Sequence, residues 1–98
     1  MNMQAMLKQA QKLQKDMLKA KEEIDKTEFE GKSSLVTVTM KGTKEIVSVK
    51  IDADSIESDE IEMLEDMIQV AVNEASKKVD QVTEQKMGKY TQGMPGLF

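Results

Sequence analysis

Apolar residues in the first quarter of the chain recur at Met3, Met6, Ala10, Leu13, Met17, Ala20 and Ile24. The steps are 3, 4, 3, 4, 3 and 4, a heptad seam held for three repeats. With its strong helix formers Gln, Ala, Leu, Lys, Met and Glu, this spacing predicts a helix over residues 4–25. Lys8, Lys12, Lys15 and Lys19 recur at steps of 4, 3 and 4 on the side away from the seam, and Lys21 extends them to one side. One helix thus carries an apolar stripe that protein must cover and a positive stripe that needs no cover. Glu22, Glu23 and Asp25 crowd its end against the helix dipole. A turn-spaced pair between Lys19 and Glu23 offsets this in part, by about 0.3–0.5 kcal/mol for an exposed pair.

The period then changes to two. Phe29 stands between polar neighbours and predicts a short, weak strand over residues 27–30. Gly31, Lys32, Ser33 and Ser34 read as a turn. Residues 35–40 form a β-rich run in which Val36, Val38 and Met40 share one face. Lys41 to Lys44 reads as a hairpin turn around Gly42, and the return strand over residues 45–51 is expected to turn Val47, Val49 and Ile51 toward the core. Helical spacing resumes at Ile61, Leu64, Ile68, Ala71, Ala75, Val79 and Val82, with Met67 and Val72 widening the stripe. Ser58 is the expected N-cap, with Asp59, Glu60 and Glu62 in the favoured first turn. This helix is expected to run to Met87 and stop at Gly88. Residues 1–88 then form one α+β domain: a long N-terminal helix, a three-stranded antiparallel meander and a long C-terminal helix. Residues 89–98, with Gly93, Pro95 and Gly96, read as a flexible tail unless Met94, Leu97 and Phe98 dock on a partner.

Only three aromatic residues are present, Phe29, Tyr90 and Phe98, and nine methionines fill part of that gap in the core. So thin a core on long helices suggests that a second subunit covers apolar surface. No apolar block or run of membrane-spanning length occurs, so a cytoplasmic protein without membrane contact is expected. There is no Cys, which excludes disulfides and thiolate chemistry. There is also no His, and no glycine loop matches a phosphate cradle, so neither an enzyme, a cofactor nor a small-molecule substrate is expected. The acidic row Glu62, Glu65 and Asp66 reads as a solvated face, because one helix face rarely converges enough oxygens on a metal.

The net charge of −4 argues against a nucleic-acid partner until its distribution is considered. Met1 to Lys21 holds five Lys and one Asp, a local +4, whereas Asp52 to Ser76 holds nine acidic residues and no Lys. A chain so polarised can meet a polyanion at one pole. Every basic residue is Lys, a point charge suited to phosphate oxygens, and the missing Arg removes the commonest bidentate guanine contact. So few aromatics leave no stacking platform for single strands. Duplex DNA held mainly through its backbone is the expected partner. Lys8, Lys12, Lys15 and Lys19 are the expected contacts, with Lys77, Lys78, Lys86 and Lys89 as a second, weaker cluster.

Several segments, taken in order, carry a resemblance: residues 6–14 (MLKQAQKLQ), the Gly42 turn, residues 47–52 (VSVKID), residues 64–68 (LEDMI), residues 71–73 (AVN) and residues 93–97 (GMPGL). As a set they resemble the YbaB/EbfC nucleoid-associated proteins over nearly the whole chain. The resemblance implies a small bacterial DNA-binding protein of the nucleoid without enzymatic activity, built as a tweezer-like two-fold homodimer with projecting helices. It also implies replication or recombination proteins as candidate neighbours. Lys8 and Lys12 match the family's basic pattern, while Lys15 and Lys19 extend it by helix geometry alone. The rival expectation is a dimeric protein–protein adaptor whose lysines only solubilise it.

Overall fold

The computed structural model describes residues 2–91. Helix α1 spans Met3–Lys26 and is capped by Asn2, whose Oδ1 accepts from the Gln4 amide at 2.9 Å. Strand β1 is Glu28–Ser33, β2 is Val36–Lys41 and β3 is Ile46–Ile51. A 3-10 turn, Ser58–Glu60, leads into helix α2, Ile61–Thr91. The strands form one antiparallel sheet in the order β1-β2-β3, so the expected α+β meander is the fold observed.

Several local expectations need correction. Gly31, Lys32 and Ser33 belong to β1 and are paired with Val38, Thr37 and Val36, so β1 is a full six-residue strand. The turn is Ser34–Leu35, made possible by Ser34 in the left-handed region at φ 50°. Ser58 opens the 3-10 turn rather than capping it; Glu57 precedes it, and its amide donates to Glu60 Oε1 at 3.2 Å. Helix α2 does not stop at Gly88 but runs on to Thr91. Lys89 to Thr91 therefore belong to α2. The rest of the tail expectation, with Met94, Leu97 and Phe98, lies outside the described residues.

The core lies between α2 and the first two strands. Phe29, Val36, Val38 and Met40 meet Ala71, Ala75 and Val79, with Leu64, Met67, Ile68, Val72 and Val82 around them. The alternation along β2 decides this: Val36, Val38 and Met40 are buried while the residues between are half-buried. Small residues bring the layers close, with Gly31 under the backbone of α2 at Ala71 and Ala75.

Strand β3 departs from expectation. Its register slips between Thr39 and Met40, which face Ser48 and Ile46, so Val47 is the extra residue of a bulge. Helix α2 covers β1 and β2 and does not reach β3. Val49 and Ile51, opposite Val38 and Val36, do share the core-side face as expected, but with no helix over them Ile46, Val47, Val49 and Ile51 are 37–47% exposed.

Helix α1 also touches α2. Ile24 and Met87 are both almost fully buried, outside the main cluster. Gly42 packs against the Ile24 carbonyl, and its amide donates to Thr27 O at 3.0 Å, fixing the end of α1 to the hairpin. From there α1 projects. The radius of gyration is 19.4 Å and the extents are 71 × 21 × 14 Å, against about 13 Å for a compact chain of this length.

Candidate nucleic-acid interface

The seam of α1 is covered over only part of its length. Ile24 is buried and Met17 and Ala20 are half-buried, while Met3, Met6, Ala10 and Leu13 are exposed. The covered part fixes which way the helix faces. Lys8, Lys12, Lys15 and Lys19 fall within about 60° of arc at 3.6 residues per turn, on the side away from that seam. All four are exposed. They span about 16 Å along the axis, a length over which duplex DNA carries on the order of ten phosphate charges.

None of the four ammonium groups has a carboxylate partner among the described residues. The ion pairs there are Lys21–Asp25, Lys26–Glu22, Lys41–Glu45, Lys44–Asp80 and Lys78–Glu74. The expected Lys19–Glu23 pair is not among them; the end of α1 is balanced instead by Lys21 and Lys26. Helix geometry also places Lys21 on the flank of the seam, and its pairing with Asp25 at 3.6 Å takes it out of the stripe. Asp16 sits beside the stripe without pairing to it. Four like charges at turn spacing oppose helix formation by about 0.2–0.5 kcal/mol per neighbouring pair. The helix bears that charge without compensation, which leaves the stripe open to an outside anion.

The second cluster does not form a stripe. Lys78 bridges α2 to the sheet: its Nζ donates to Glu30 O at 2.7 Å and pairs with Glu74 at 3.4 Å. Lys77, next along the helix, is exposed on another side. Lys86 and Lys89 continue the row Ala71, Ala75, Val79 and Val82 by steps of 4 and 3, so they lie on the sheet-facing side of α2 beyond the end of the sheet. Lys89 also lies over the Tyr90 ring at 4.9 Å from its centroid. Ile24 is the covered end of the seam that helical spacing marked, whereas the burial of Met87, expected only to end α2, is not marked by that spacing.

The model of the YbaB/EbfC DNA-binding family matches residues 1–94. The chain belongs to that family. A nucleoid-associated protein of Lactococcus lactis subsp. cremoris (strain MG1363) is 50% identical over 97 residues, covering 97% of this chain and 98% of that protein. A nucleoid-associated protein of Enterococcus faecalis is 43% identical over 98 residues, 98% of this chain and 94% of its own length. One from Ligilactobacillus salivarius is 42% identical over 99 residues, 99% of this chain and 95% of that protein. These names are those of DNA-binding nucleoid proteins and not of enzymes. Among the described residues no group of three or more His, Cys, Asp or Glu is placed to hold a metal ion. No helix there is long and apolar enough to cross a membrane.

Proposed function

We infer that this chain is a nucleoid-associated protein of the cytoplasm that binds duplex DNA as a homodimer, mainly through the phosphate backbone and without catalysis. The observation that carries this reading is the row of four uncompensated lysines on one exposed face of α1, in a member of a DNA-binding family. The net charge of −4 does not oppose it. At about 0.1 M salt charges are screened over roughly 10 Å, a small fraction of the 71 Å length. Phosphates at α1 therefore meet a local positive field and not the charge of the whole molecule. Lys8, Lys12, Lys15 and Lys19 make the principal contacts, and Lys77, Lys86 and Lys89 add to them from α2. Lys78 ranks last of the eight because its ammonium already serves Glu30 and Glu74.

The homodimer reading is supported by β3. Among the described residues its outer edge is unpaired and four apolar side chains are exposed, a combination that invites pairing with another chain. A two-fold contact through β3 covers that surface and leaves α1 projecting on each side. Duplex affinity measured against salt, for the wild type and a variant with all four stripe lysines changed to Gln, tests the DNA reading. An adaptor in its place predicts negligible affinity in both.

A further inference from the structure

The first half of α2 presents an outer face that nothing among the described residues covers. Met63 and Val70 are 53–59% exposed there, and Glu62 and Asp66 are exposed beside them, with Glu65 on the flank. No ion pair among the described residues engages those three carboxylates. This is an amphipathic helix face with apolar positions and unpaired charge of one sign.

The same chain carries the complement. On α1, Leu7 and Leu18 are exposed beside the unpaired lysine stripe. Glu62 and Asp66 are four residues apart, as are Lys8 and Lys12, and Lys15 and Lys19. On two facing helices each such pair has a rise of about 6 Å, so opposite charges meet in register and the flanking leucines meet Met63 and Val70.

The two faces of one chain cannot meet each other. Ile24 and Gly42 hold the end of α1 at the hairpin, and Lys44 of that hairpin pairs with Asp80. From Asp80 back to Asp66 is about 20 Å of helix, and the stripe lies on the other side of that junction.

We propose that the outer face of α2 around Met63, Glu62, Asp66 and Val70 docks the lysine face of α1 from a second copy of this chain. The contact joins unlike surfaces, so it is head-to-tail; repeated, it builds assemblies larger than the basic unit, a ring or an open chain. It goes beyond the DNA reading and shares the stripe with it. Duplex and α2 therefore compete for the same lysines, and DNA disperses the assembly.

Sedimentation velocity without DNA tests the proposal, at about 50 mM and about 300 mM salt. Wild type should form species larger than its basic unit at low salt and high concentration, and lose them at high salt. Two exposed charge reversals separate the partners: Lys12→Glu with Lys15→Glu, and Glu62→Lys with Asp66→Lys. Each variant alone should stay at the basic unit, with its helical circular dichroism unchanged. Mixed in equal amounts they should regain the larger species, because the acidic α1 of one now fits the basic α2 of the other. Wild type that stays one salt-independent size overturns the proposal, as does growth that survives either reversal or a mixture that fails to grow. The DNA reading is judged separately: growth with no duplex affinity in wild type sinks that reading alone. A monomer as the basic unit sinks the β3 dimer alone.

Discussion

The backbone of Gly31 in β1 lies in contact with the backbone of Ala71 in α2: a Cβ on Gly31 would stand 1.9 Å from the Ala71 carbonyl oxygen and 2.6 Å from the Ala75 amide nitrogen. Both are backbone atoms of a packed helix, so no side chain can swing aside. Gly31→Ala should therefore cost about 3 kcal/mol or more, at the upper end of overpacking effects. Urea denaturation followed by circular dichroism checks this. A loss below about 1 kcal/mol would mean the helix has room to lift.

Met87, on α2 outside the main cluster, is 1% exposed, and α1 packs on α2. Met87→Ala should lower stability by about 2–5 kcal/mol, the range for truncating a fully buried Met. Because α1 rests on that helix, the variant should also lose protection of the α1 amides in hydrogen exchange before the sheet does. Uniform loss across the chain would show that Met87 supports the fold as a whole and not the placement of α1.

Four of the five main elements, α1, β2, β3 and α2, are legible in the sequence because each keeps one apolar period for about six residues or more; β1 has Phe29 alone and reads as a shorter strand than it is. Periodicity failed where a residue's role depends on its neighbour across space. Gly31 looked like a turn because Gly usually breaks a strand; here it is the gap through which α2 approaches β1. Val47, Val49 and Ile51 looked like core because they alternate, yet one bulge and the limited reach of α2 leave them exposed. The lysine stripe was legible because helical spacing alone fixes which residues share a face. Lys78 was not, because its partner Glu30 lies 48 positions away in sequence.

Lys78 and Lys15 should separate cleanly. Lys78→Gln removes a hydrogen bond to Glu30 O and a half-exposed ion pair, so stability should fall by under about 1 kcal/mol while the salt dependence of duplex binding stays nearly unchanged. Lys15→Gln should leave stability unchanged or slightly higher, since it relieves like-charge repulsion, and should flatten the salt dependence. The reverse assignment in a paired melting and binding experiment would place the interface on α2.

Ser34 holds the β1–β2 turn at φ 50° without being Gly. Ser34→Gly relieves that conformation and should raise stability by up to about 1 kcal/mol, less the extra entropy of Gly in the unfolded chain. Thermal denaturation reads the shift. A decrease would show that the Ser34 side chain stabilises the turn by more than its backbone strain costs.

The slope of log affinity against log salt for duplex binding is the most direct measurement of local charge prevailing over net charge. With Lys8, Lys12, Lys15 and Lys19 changed to Gln, the slope should shrink by about 0.9 for each phosphate no longer neutralised, and affinity should fall most at low salt. A variant that binds duplex with the wild-type slope would contradict the assignment of the interface to α1.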